Sequence, residues 1–287
     1  MATQAECVKV IQIETERLRQ YLAALPADAW SKPSACALWE IRDVVAHVSG
    51  VPHGYTISIT RGLQGDLSPR PGSPDQSRVF QTHSQEERQQ YRKGLAQRPI
   101  ADRERLGNDL VAVFSQGWDP FPHFIATLSA EDWHRPCHHS FGIIPVHARV
   151  HAGVFELTMH SWDVRSALEP SASLSPDALA VVLDFFAECP HWFFTPAARL
   201  STPLRYRFAF PGALSGPWDI VVEGDKAHIG PAADAIPANV TFACERETFV
   251  LMMCGRMGFD AALGDKRLIP TGDMAVVQEF KQWFQGV

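Results

Sequence analysis

The sequence has no apolar run long enough to span a bilayer, and its start, MATQAECVKV, lacks the charged-then-apolar pattern of a secretory signal. It has no basic excess either. Twenty-six Lys and Arg stand against 32 Asp and Glu, a net charge of -6, so nothing calls for a nucleic acid or an anionic membrane as partner. Its six cysteines (Cys7, Cys36, Cys137, Cys189, Cys244, Cys254) include no C-x-x-C pair. That argues against a zinc knuckle or a disulfide frame and for reduced thiols in a cytoplasm. No internal repeat and no low-complexity tract is present, and nothing in the sequence sets an oligomeric state. What is present is 287 residues, 46% hydrophobic and 20% charged, enough for one large domain or two ordinary ones. Twelve histidines complete the picture, and their placement matters more than their number.

Residues 3–25 carry Val8, Ile11, Leu18, Leu22 and Leu25 near helical spacing and close at Pro26. A second helix is predicted from about Trp39 through EIRDVVAHVSG, with Ile41, Val44, Val45 and Val48 to one side. From Gly65 to about Phe80 the texture is that of a loop. The polar SQEERQQYRKGLA reads as an exposed helix that Pro99 ends or kinks, and ADRERLGNDLVAVFSQ as a further helix that fades at Pro120 and Pro122. HRPCHHSFGIIP is expected to be a turn region in which His134, His138 and His139 are solvated; Pro145 then opens a helix to Leu168. Beyond the linker at Glu169-Pro170, SPDALAVVLDFFAE reads as a connecting helix. LRYRFAF, WDIVVEG, KAHIG and ANVTFAC read as strands of a small antiparallel sheet, with helices at ETFVLMMCGRMG and GDMAVVQEFKQWF packed on it. The expectation is an all-α domain at 1–170, a connector at 171–200 and a small α+β domain at 201–287.

The helix from Pro145 to Leu168 is apolar on most of its circumference, which marks it as central to its bundle. Between its apolar sides lie Glu156 and His160, four residues apart and therefore one above the other. Arg149 shares that face, and Gly153 is read as leaving open space beside the pair. A buried carboxylate and imidazole need a partner to offset lost hydration, and a divalent ion supplies one. His47, within the apolar DVVAHVSG, is the candidate third ligand. A His, Glu, His set leaves coordination positions open, as catalytic zinc or non-haem iron sites do. Asp163, nearly on the face of His160, is placed to orient it. Spacing alone equally allows an intrahelical Glu156–His160 pair and a hydrogen-bonded core histidine at position 47. Cys36 is read as a small buried hydrophobe.

Three segments carry a resemblance. WSKPSACALWEIRDVVAH at 30–47 and FELTMHSWDVRSA at 155–167 resemble two motifs of the mycothiol-dependent maleylpyruvate isomerase family. MCGRM at 253–257, followed by LGD at 263–265, is similar to the signature of that family's second domain. The resemblance implies a DinB-like four-helix bundle followed by a small sterol-carrier-like α+β domain. It puts His47, Glu156 and His160 on the metal ligands. Two departures are visible: Phe155 stands where many members have His directly before the Glu, and the stretch at 65–100 is long and polar.

The resemblance further implies a low-molecular-weight thiol as cosubstrate beside a divalent metal, Zn2+ first, with Fe2+ or Ni2+ as alternatives. The expected activity is isomerase or S-transferase chemistry on a small unsaturated or electrophilic, carboxylate-bearing substrate. Arg149 and Arg256 are the candidates for binding that substrate, because a guanidinium fork suits a carboxylate; Arg256 alternatively caps its helix or pairs with Asp265. A metal-dependent hydrolase and a non-catalytic, metal-dependent ligand binder or regulator are the competing readings.

Overall fold

A computed structural model describes residues 1–69, 85–106, 109–140, 142–195, 200–212, 216–233 and 235–286. Most of the predicted loop after Gly65 lies outside the described residues. The contacts divide the chain into two compact units, Met1–Val182 and Leu183–Val287.

In the first unit, Gln4–Ala23 (α1) opens on a capping box: Thr3 Oγ1 accepts from the Glu6 N–H while the Glu6 carboxylate accepts from the Thr3 N–H. Ile41–Leu63 (α2) starts at Glu40, whose N–H donates to Asp43 Oδ2 at 2.9 Å. It runs past the predicted end, through Pro52. Proline offers no N–H to the carbonyl four residues back. The orphaned Val48 oxygen instead accepts from Trp118 Nε1 at 3.0 Å. Gln85–Leu106 (α3) likewise continues through Pro99; the side chains at 85–92, expected to be exposed, lie outside the description.

Leu110–Trp118 (α4) is capped by Asp109, whose side chain accepts from the Ala112 N–H. The helix stops just before Pro120, as expected, and Pro120 begins a further helix that was not expected, Pro120–Ala126 (α5). Its fixed φ and missing N–H suit a first turn. The predicted turn region is a hairpin, Pro136–His139 (β1) paired antiparallel with Gly142–Pro145 (β2). Within it His139 is buried, not solvated. Val146–Ser166 (α6) follows, buried along most of its length as its sequence requires, and packs on α1 and α2. Pro176–Glu188 (α7) spans the boundary between the units.

The second unit holds the four predicted strands, Leu204–Ala209 (β3), Trp218–Glu223 (β4), Lys226–Pro231 (β5) and Val240–Cys244 (β6). A fifth strand, Leu268–Gly272 (β7), was not predicted, and the order is β5-β4-β3-β6-β7. The sheet is mixed, not antiparallel, because β6 returns parallel to β3. Arg246–Met253 (α8), Phe259–Gly264 (α9) and Met274–Trp283 (α10) complete it. Tyr206 and Phe208 of β3 meet Phe280 of α10, and Phe208 also meets Phe249 of α8. On the alternate positions of β3, Arg205 and Arg207 both donate to the nearly buried Asp219 of β4.

Candidate metal centre

Helices α2 and α6 bring His47 against Glu156 and His160. The Nε2 atoms of both histidines lie 3.2 Å from the same oxygen, Glu156 Oε2. His47, Glu156 and His160 each offer one ligand atom, all within 4.8 Å of one another. A tetrahedral ion with bonds of about 2.0–2.1 Å sets its ligands about 3.3 Å apart. Two imidazoles and a carboxylate at this spacing therefore fit a divalent ion, and three protein donors leave a position open for another ligand.

The electrostatics follow from the same contacts. Burial alone would raise the Glu156 pKa, but its contacts with His160 and His47 outweigh that and hold the carboxyl far below the usual range. Burial works against a charged His160, yet its hydrogen bonds to Asp163 and Glu156 push the pKa up to about 9. Asp163 is fully buried, and its Oδ2 accepts from His160 Nδ1 at 2.9 Å. That contact fixes the ring orientation and aims Nε2 at Glu156.

Two further residues lie at the imidazoles: Trp39, to which its sequence context gave no role, and Cys36, which was expected to be buried. Trp39 lies over both imidazoles, with ring centroids 5.1 Å from His47 and 5.8 Å from His160. Its Nε1 donates to the Ala96 carbonyl of α3 at 2.9 Å, which ties that helix to the site. Cys36 is half-exposed, not buried, and forms a second donor group with His160 and Asp163. Both sit on the loop before α2, which turns at Leu38 with φ 74°. A loop has no periodicity from which this placement could be read; the one available signal was nearness to His47 within a single motif.

Gly153 does not leave open space. A Cβ there would lie 3.4 Å from Phe121 and 3.5 Å from Tyr55, whose rings fill the gap. The guanidinium of Arg149 stacks on that same Tyr55, 3.8 Å from the ring centroid. Arg149 is buried, seven residues or about 10 Å along α6 from Glu156. Arg256 belongs to the second unit and donates to the Cys254 carbonyl at 3.0 Å.

The fold defines a class: a helical bundle that gathers imidazoles and a carboxylate between two central helices, continued by a mixed sheet under helices. Residues 11–165 match the mycothiol maleylpyruvate isomerase N-terminal domain, and 204–285 match the SCP-2 sterol transfer family. The chain belongs to the mycothiol maleylpyruvate isomerase N-terminal domain family. Among solved structures it is similar to the mycothiol-dependent maleylpyruvate isomerase, with TM-score 0.59 and 13% identity over 95% of each chain. A histidine-to-alanine mutant of that isomerase gives TM-score 0.59 and 12% identity, again over 95% of each chain. The shared fold is thus that of an enzyme. No curated protein matches the chain. Among the described residues, no helix is long and apolar enough to cross a membrane.

Proposed function

We infer that this chain is a metal-dependent isomerase that uses a low-molecular-weight thiol as cosubstrate. The observation that carries the reading is the convergence of His47 and His160 Nε2 on one Glu156 oxygen, 3.2 Å from each. Membership of a family named for a mycothiol-dependent isomerase supports the thiol. Zn2+ is the first choice; Fe2+ accepts the same donors.

When bound, the ion supplies Lewis acidity that makes a thiolate from a thiol whose free pKa is about 8.5. The protein's own residues do the rest. Glu156 contributes negative charge to the donor set, Asp163 holds His160 in register, and Trp39 keeps water from one side of the imidazoles. A thiolate sulfur that adds to an activated double bond leaves a single bond free to rotate; elimination then restores the double bond and releases the thiol unchanged. A carboxylate-bearing substrate of this type calls for a guanidinium, and Arg149, on the helix that carries Glu156 and His160, is the candidate. Maleylpyruvate, named for the similar isomerase, is the first substrate to try.

Elemental analysis of the purified protein beside His160→Ala is the first test. Near-stoichiometric metal in the wild type and its loss in the variant are expected. Metal absent from the wild type, or unchanged in the variant, would sink the assignment. A panel of thiols with maleylpyruvate and other unsaturated acids, followed by NMR, then decides the chemistry. Geometric isomerisation that requires thiol supports the isomerase. Turnover that consumes thiol points to a transferase, turnover independent of thiol to a hydrolase, and binding without turnover to the ligand binder.

A further inference from the structure

A second group of donor atoms shares His160. Cys36, His160 and Asp163 each offer one ligand atom, all within 4.8 Å of one another. Main-chain contacts hold this group together. The Ala35 N–H donates to the Asp163 carbonyl at 3.1 Å, which pins the loop before α2 onto α6. The Cys36 N–H donates to Ser34 Oγ at 3.1 Å, and that hydroxyl donates to the Trp39 carbonyl at 2.9 Å. Cys36 thus sits where it does because both of its flanks are tied down. Among the six cysteines it alone is half-exposed; Cys7, Cys137, Cys189, Cys244 and Cys254 are buried. Cys36 is thus the one partly exposed residue of a donor group whose other two members are buried.

The geometry points to a thiophilic metal position formed by Cys36 Sγ, a ring nitrogen of His160 and a carboxylate oxygen of Asp163. A sulfur donor makes this group softer than the His47, Glu156, His160 set, so it selects soft ions such as Cd2+ or Cu+ over hard ones. On binding, the thiol proton passes to solvent and the sulfur lone pair bonds the ion, with no change of oxidation state. Because the two sets share His160, and Asp163 orients that ring, a soft ion here draws both away from the first set and weakens it. The position would be a route by which thiophilic metals inhibit the protein. It goes beyond the function proposed above and does not require it.

The test is a titration of full-length protein with Cd2+, followed by the ultraviolet sulfur-to-cadmium charge-transfer absorption. Wild type and His47→Ala, which breaks only the first set, are expected to show the band with near-stoichiometric saturation. Cys36→Ser and Cys36→Ala are both expected to lose it while keeping the far-ultraviolet circular dichroism and zinc content of the wild type. No band in His47→Ala, or a band of undiminished intensity in both Cys36 variants, overturns the proposal. If His47→Ala keeps its zinc while the Cys36 variants lose the cadmium band, the first centre is misassigned and the thiophilic position stands.

Discussion

At the scale of residues, Asp163 is the informative position. Its carboxylate is inaccessible to solvent and accepts from His160 Nδ1 at 2.9 Å, so it acts on an ion in the His47, Glu156, His160 set through the ring that it orients. Asp163→Asn keeps the shape and removes the charge. The expected result is a metal affinity about 10–100-fold weaker, measured by competition with a chromophoric chelator, with the circular dichroism unchanged. Unchanged affinity would leave Asp163 a packing residue. This acidic partner was legible in the sequence because a rigid geometric rule applies to it: residues three and four apart share a helical face. Trp39 reaches both imidazoles and Cys36 reaches His160 from a loop, where no such rule holds. Gly153 was misread for a different reason. Its own helix does leave a gap, but Tyr55 and Phe121 arrive from other helices to fill it, and partners distant in sequence are invisible to periodicity.

At the scale of elements, α2 and α4 meet through one device. Pro52 frees the Val48 carbonyl, Trp118 Nε1 takes it, and Gly117 beside that tryptophan lets the two backbones close. A Cβ on Gly117 would lie 2.5 Å from the Ser49 carbonyl oxygen. Gly117→Ala is therefore expected to destabilise by about 1–3 kcal/mol in urea unfolding, the usual cost of overpacking. Gly153→Ala, with only ordinary contacts, is expected to be neutral or to stabilise by up to about 1 kcal/mol through helix propensity. Equal losses in the two variants would contradict this account. The same device explains why α2 outran its predicted end: a proline in a helix reads as a stop unless a distant donor satisfies the carbonyl that it orphans.

The strands of the second unit were legible from their β-branched alternation, whereas their pairing was not. That β6 lies parallel to β3 depends on where the chain crosses, which no local pattern records. The Arg205, Arg207 and Asp219 cluster on β3 and β4 makes a pH prediction. Burial alone would raise the Asp219 pKa, but the hydrogen bonds from Arg207 and Arg205 outweigh it and lower the value. A carboxyl depressed in the folded state contributes stability above its unfolded pKa of about 3.9. That contribution is lost as pH falls through the lower folded value. Asp219→Asn should thus be less stable than wild type at pH 7 and should converge on it as pH falls through the lowered folded value. A constant difference across that range would show that the charge is not what matters.

At the scale of the whole molecule, the donors join distant parts of the chain: His47 and Glu156 are 109 residues apart in sequence, and meet only when α2 and α6 are packed. An ion held by all three donors binds the folded chain and not the unfolded one, so it stabilises by mass action. At a hundredfold excess over Kd the gain is about 2.7 kcal/mol, enough to move a thermal transition by several degrees. Chelator treatment is expected to lower the Tm of the transition that includes Met1–Val182, and added zinc to restore it. Since an imidazole ligand must lose its proton to bind and the His160 pKa is pushed up to about 9, the zinc-dependent shift should shrink as pH is lowered from about 9. His47→Ala should unfold at one temperature with or without zinc. A zinc-dependent shift that survives in His47→Ala, or that grows toward acid pH, would mean that the ion binds elsewhere.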